Sequence, residues 1–265
     1  MDRGRIKTFV LLLLLTVNVV FLALIVTDRV EVARLRNEAR VELTQVLSRM
    51  GIALDPEVIP EEEAQPLYFI ARDIDAEREV AAMLLGEPEE RDAGGGIYHY
   101  QSSVGQAQFR GGSFWVELVG RTYRISDTGP LLVDQMGLWA PTGSGDDTQI
   151  TYTLALDRQR PDQRVINGQV TFHLVEGYVR EISGTALWGE RHAYVTGQQQ
   201  DAATALLTLA GHLRERQTVS RFLQVEMGYY LLEGSGYLEL RPVWIVATDD
   251  GWFSVDRQSG EIRSS

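Results

Sequence analysis

Read along the chain, the apolar positions first form one unbroken block. Residues 9–27 (FVLLLLLTVNVVFLALIVT) carry no charge over 19 positions, and at about 1.5 Å rise per residue such a helix crosses a hydrocarbon core of roughly 30 Å. The block outruns the roughly 7–15 apolar residues of a signal peptide, and Ile25-Val26-Thr27 is a poor cleavage site, so the reading is a retained anchor. Arg3, Arg5 and Lys7 precede it, whereas Asp28, Arg29 and Glu31 follow. That asymmetry keeps residues 1–8 in the cytosol and places the rest of the chain outside. Thr16 and Asn18 are the polar exceptions. Asn18 shares a helical face with Leu11, Leu14, Leu15, Phe21, Leu22 and Ile25, and this face is expected to meet a partner helix in the membrane, unless the amide simply bonds its own backbone.

Beyond the anchor the periodicity changes. Within residues 28–50, Val32, Leu35, Ala39, Leu43, Val46 and Met50 recur every three or four positions and predict a juxtamembrane amphipathic helix, stopped by Gly51. The acidic, proline-flanked stretch 60–66 reads as a loop. Residues 67–71 predict a strand; Asp73 or Asp75 then caps a helix that turns Val80, Ala81, Leu84 and Leu85 inward and ends at Gly86 and Pro88. Three short strands, 97–101, 106–110 and 113–119, are punctuated by glycine. The pattern resets near Asp127 with a short helix at 129–138. Strands follow at 150–156, around 170–174 and at 178–188, then a helix at 201–213 carrying Ala202, Leu206, Leu209 and Leu213 on one side. Strand-like segments at 222–232, 238–248, 252–256 and 261–263 complete the chain. Helix followed by antiparallel strands thus occurs twice, which predicts an α+β class with one extracytoplasmic unit at 51–127 and a second at 128–265.

Charge narrows the choice of partner. The 37 acidic residues outnumber 25 basic ones, for a formal net charge of −12. A broadly acidic body repels nucleic acid, so no nucleic-acid partner is expected. The absence of cysteine removes thiolate catalysis, zinc knuckles and disulfide frameworks together.

The search for catalytic spacing turns up little. His99, His173, His192 and His212 stand apart without metal-ligand spacing, no Gly-x-Ser-x-Gly elbow occurs, and the paired carboxylates Asp146-Asp147 and Asp249-Asp250 abut glycine in turns. The only lysine, Lys7, precedes the anchor, so no phosphate-cradling loop can form outside. The expectation is a protein that is not an enzyme and holds no cofactor or metal. The tryptophans Trp115, Trp139, Trp188, Trp244 and Trp252 read first as packing, with a peptide or sugar groove as the functional alternative.

The segment Leu240-Arg241-Pro242-Val243-Trp244-Ile245-Val246, followed by Gly251-Trp252-Phe253-Ser254-Val255-Asp256 and on to Gly260 and Ile262, resembles the PepSY-type hairpin. There a strand containing proline and an aromatic precedes one ending in Asp-x-x-x-Gly-x-Ile, and Pro242, Trp244, Trp252, Asp256, Gly260 and Ile262 are the matching structural positions. With its anchor, short basic tail and two such units, the whole chain resembles the YycH/YycI pair of membrane-anchored regulators of a cell-wall-sensing histidine kinase in low-GC Gram-positive bacteria. Its arginine in place of lysine departs from that pattern. The resemblance implies a non-catalytic protein of the cell membrane that tunes a sensor histidine kinase in a two-component system, alongside a paralogous YycH-type regulator. A module holding a peptidase or peptide ligand is the alternative.

The topology is directly testable. Protease added to wall-stripped cells is expected to digest the body and leave a membrane-protected N-terminal fragment; a soluble product beginning near Asp28 would instead identify residues 9–27 as a cleaved signal.

Overall fold

The computed structural model describes residues 37–61, 64–120, 123–126, 138–141, 148–157, 160, 164–194, 197–214, 219–234 and 236–264, together with positions 14, 17, 18 and 34. Most of the expected anchor therefore lies outside the described residues, and no described helix is long and apolar enough to cross a membrane. Helix α1 is residues 37–49. Strands β1 (Ala53–Leu54) and β2 (Leu67–Ala71) lead to helix α2 (Ile74–Leu85) and a meander of β3 (Glu89–Gly94), β4 (Ile97–Gln101), β5 (Gly105–Arg110) and β6 (Ser113–Leu118). Next come β7 (Leu138–Pro141), β8 (Gln149–Ala155), β9 (Arg164–Val175), β10 (Tyr178–Thr185) and β11 (Arg191–Tyr194). Helix α3 (Ala202–Arg214) precedes β12 (Arg221–Glu233), β13 (Tyr237–Thr248), β14 (Gly251–Asp256) and β15 (Ile262–Ser264). The class is α+β with a mostly antiparallel sheet.

Local chemistry explains the helices. The Asp73 carboxylate accepts the Ala76 amide at 3.0 Å and caps α2, and Gly86 at φ 78° closes it with its N–H on the Ala82 carbonyl. Val80, Ala81, Leu84 and Leu85 are buried, as their spacing predicts. In α1 the buried residues are Leu43 and Leu47 rather than the Leu43–Val46 line that the spacing suggests. A straight i, i+4 contact selects Leu47 because the helix meets the body along a narrow line.

The strands join one sheet whose main path runs β11, β2, β13, β12, β9, β10, β6, β5, β4, β3. The two units expected to meet near Asp127 share it. Strand β2 of the first lies between β11 and β13 of the second, and β6 pairs with β10. Hydrophobic periodicity marks each hairpin but carries no information about which edges meet, so this joining is invisible in the sequence. The expected helix at 129–138 falls outside the described residues up to 137, and Leu138 opens β7. Four strands lie outside the pattern: the short β1 and β7, and β3 and β11. All six residues of β3 (EERDAG) and all four of β11 (RHAY) are exposed, so neither shows the alternation that betrays a half-buried strand.

Among the described residues, α1, α2 and α3 pack on one face of the sheet. Val225, Met227, Tyr229 and Leu231 of β12 and Leu238, Leu240, Trp244 and Val246 of β13 alternate toward it. Around Tyr229, Leu231, Leu238 and Leu240 they join a cluster with the inner face of α2; around Val225, Trp244 and Val246 they join a second cluster with α3, Leu43 and Leu47. The two clusters are neighbouring halves of one buried face. Between them stands Pro242. Along one edge of β13, β2 pairs with Tyr237 to Leu240 and β14 with Val243 to Thr248, so Pro242, which has no N–H to donate, sits where one neighbour gives way to the other.

Trp244 has no exposed surface and its indole N–H donates to the Gln200 carbonyl at 3.0 Å. Trp244→Ala should therefore cost about 3–5 kcal/mol through lost burial and the cavity left behind. Urea unfolding of the full chain in detergent measures it, and a cost below about 1 kcal/mol would mean that the indole is not part of the core.

Candidate interaction surface

The residues of the C-terminal hairpin motif divide into builders and one exposed side chain. Asp256 is buried, and its Oδ1 accepts the amides of Gln258 and Ser259, both at 2.9 Å. Its carbonyl accepts the Gly260 amide and its own amide donates to the Glu261 carbonyl, so the Asp-x-x-x-Gly spacing encodes a closed turn. Gly260 stands at φ 74°, and a Cβ there would lie 2.9 Å from the Gln200 side-chain nitrogen. Only glycine satisfies both demands. Ile262 pairs with Val255 and packs against the second cluster. The Arg257 guanidinium lies 4.7 Å over the Trp244 ring and donates to Gln65 Oε1 at 3.3 Å, tying the turn to the segment before β2. Pro242, Trp244, Asp256, Gly260 and Ile262 thus hold the hairpin together.

Trp252 is different. It is 40% exposed on the open face of the sheet, opposite the helices. Arg164, at the start of β9, lies 5.4 Å over its ring and is held there by Glu226 at 3.0 Å. Ile166, Gln169, Ile245 and Thr153 complete a shallow groove beside it. A second cation–π contact crosses the same face where Arg263 lies 4.5 Å over Tyr230. The first bridge runs from β9 to β14 and the second from β15 to β12, on the face where Val243 and Ile245 of β13 are also buried. Of this surface, the sequence reading singled out only Trp252. Arg164 ended an arginine-rich loop, and nothing in its spacing signals that it meets a residue 88 positions later.

A second cleft lies between α2 and the glycine turns that follow β5 and β12, lined by Phe109, Trp188, Ser113, Glu233 and Tyr237. Beside it Glu77, in the first turn of α2, is buried and paired with Arg72 through two bonds of 2.6 and 2.8 Å. The Glu77 carboxylate raises the Arg72 pKa above the ordinary arginine value against the opposing effect of burial. Arg72 also donates to the carbonyls of Gly96 and Phe109. The pair knits α2 to the meander, which is a structural task.

Other charges near the hairpin are likewise committed. Glu239 raises the Arg241 pKa through a 2.6 Å bond, and the Ser220 hydroxyl, with the amides of Ser220 and Arg221, holds the Asp249 carboxyl below the usual carboxylate range. Among the described residues no three histidine, aspartate or glutamate side chains converge on a common point. What this surface offers is a flat aromatic, an oriented guanidinium and a small apolar floor, the ingredients of recognition. Of the membrane face expected to meet a partner, Leu14 and Asn18 are described as helical and exposed, whereas Leu15, Phe21, Leu22 and Ile25 lie outside the described residues.

No protein-family model matches the chain, and no curated protein matches it. Among solved structures it is similar to the 1.45 Å crystal structure of an uncharacterized protein from Eubacterium rectale ATCC 33656, at a TM-score of 0.46 and 10% identity, over 81% of this chain and 90% of that one.

Because Trp252 contributes surface rather than core, Trp252→Ala is expected to cost no more than about 1 kcal/mol, the value of an exposed cation–π contact. Unfolding in urea beside Trp244→Ala tests the contrast, and a loss above about 2 kcal/mol would place Trp252 in the core instead.

Proposed function

We propose that the chain is a single-pass, membrane-anchored and non-catalytic regulator of a sensor histidine kinase, of the kind the YycH/YycI pair represents. Its body lies outside the cell as PepSY-like α+β architecture, and it works through contacts in and next to the membrane. The observation that carries this reading is the docking of α1. The helix that follows the apolar block buries Leu43 and Leu47 in the same cluster as Trp244 and Val246 of the C-terminal hairpin. A helix docked in this way passes movement at its own N-terminal side to the body through packed side chains. Regulation then consists of biasing the kinase between signalling states through helix packing.

The exposed Trp252, with Arg164 held over its ring, favours a second reading in which the open face holds an extended peptide or a peptidase. It is compatible with anchoring and differs in where recognition occurs.

A bacterial two-hybrid signal against the cognate kinase, at matched expression, separates the two. Asn18→Leu is expected to weaken it only slightly, because intramembrane hydrogen bonds average about 0.6 kcal/mol. Replacing residues 9–27 with an unrelated apolar helix should abolish it. Full signal from the swapped span would move recognition to the exported body and to the surface around Trp252.

A further inference from the structure

We infer that α1 is a hinged strap, which docks on the body and lifts from it about Gly51 in a step separate from unfolding of the sheet. The inference deepens the regulator reading by assigning the element through which the anchor acts.

Three features place the hinge, the latch and the opening in order along one helix. The hinge is at the C-terminal end. Gly51 adopts φ 86° with no atom within 4 Å of where a Cβ would stand, and the bond that crosses it is a single backbone one, from the Ile52 amide to the Leu47 carbonyl at 3.0 Å. Immediately after it the chain is pinned: Ala53 and Leu54 pair in parallel with Arg221 and Phe222, and the Ala53 amide donates to the Ser220 carbonyl at 2.8 Å. Rotation at Gly51 therefore moves the helix and leaves β1 in place.

The latch is small. Among the described residues 37–49, α1 buries Leu43 and Leu47, whereas α3 buries Ala202, Ala205, Leu206, Leu209, Ala210 and Leu213. Apolar burial sets the cost of separating a helix from its sheet, so α1 is by far the easier of the two to release.

The opening lies at the other end. Ala39, Arg40 and Leu43 of α1 face Ile59, Pro60 and Glu61 and the first residues of α3, Asp201 to Ala203, across a cleft. Arg40 spans it with a long 3.4 Å bond to the Pro60 carbonyl. The helix is thus pinned beyond its C-terminal end, held at mid-length by two leucines, and parted from the body at the end from which the anchor would pull. Lifting it uncovers the socket of Leu47, shared with Phe222 and Trp244, so the C-terminal hairpin registers the position of the strap.

Amide hydrogen exchange on the full chain in detergent micelles reads this directly. Amides of residues 43–49 are expected to be protected at least about 100-fold less than those of residues 206–213, as a locally opening element is. Leu47→Ala should lower protection further in 43–49 and leave 206–213 unchanged. Because the chain contains no cysteine, Ala39→Cys with Ala203→Cys can be bridged by a short bis-maleimide, and the bridge should shrink the gap to less than about tenfold. A smaller gap in the unbridged chain, a loss of protection shared equally by both helices in Leu47→Ala, or a gap that survives the bridge would each overturn the strap. No kinase enters the measurement, so its failure is distinct from failure of the two-hybrid experiment.

Discussion

The body depends on β13 keeping one face against apolar side chains along all of its twelve residues. Leu238 and Leu240 look onto α2, and Trp244 and Val246 look onto α3 and α1. A strand that sets this face against the helices over that length cannot slip by one residue, because Leu238, Leu240, Trp244 and Val246 would all turn away from them. Its partners inherit that register. β12 matches it from Phe222 to Glu233, and β2 and β14 divide its other edge end to end. Pro242 fits this plan at the place where the edge changes hands, which gives the proline of the hairpin motif a mechanical reason.

The open face follows a different rule. There Val243 and Ile245 lie buried among long cationic side chains laid over aromatic rings on the same face, Arg263 on Tyr230 and Arg164 on Trp252. Arginine suits this use because its planar head stacks while its stem covers apolar surface. Such a cover is thin, and a ligand displacing Arg164 would meet both the indole and the apolar floor beneath it.

Much of the fold is legible in the sequence where burial is one-sided. Strands β5 and β6, whose residues alternate in burial, and the capped helix from Asp73 to Gly86 each state their own conformation because water lies on one side and core on the other. Strands β3 and β11 are silent because both of their faces are wet. The pairing of β2 with β13 is silent for another reason: it joins segments more than 160 residues apart, and each would read the same beside any other strand. The interaction surface shares that blindness. Trp252 could be noticed as a tryptophan, but its placement beside Arg164 follows from strand order alone, and the burial of Glu77 from a partner two residues outside its helix.

The division of the β13 edge also orders the events of synthesis. Strand β2 is made early, yet the strand it pairs with on its inner side lies within the last thirty residues of the chain. Until those residues leave the ribosome, Ile70 and the inner face of α2 lack the Leu238 and Leu240 wall that completes their core. The meander β3 to β6 can close alone by local contacts, but the sheet as a whole cannot. Such non-local closure is slow and leaves apolar surface exposed while it waits. A chain truncated before Tyr237 would therefore lose the closing strand of both clusters at once, and the last strands made are the ones that make the first ones stable.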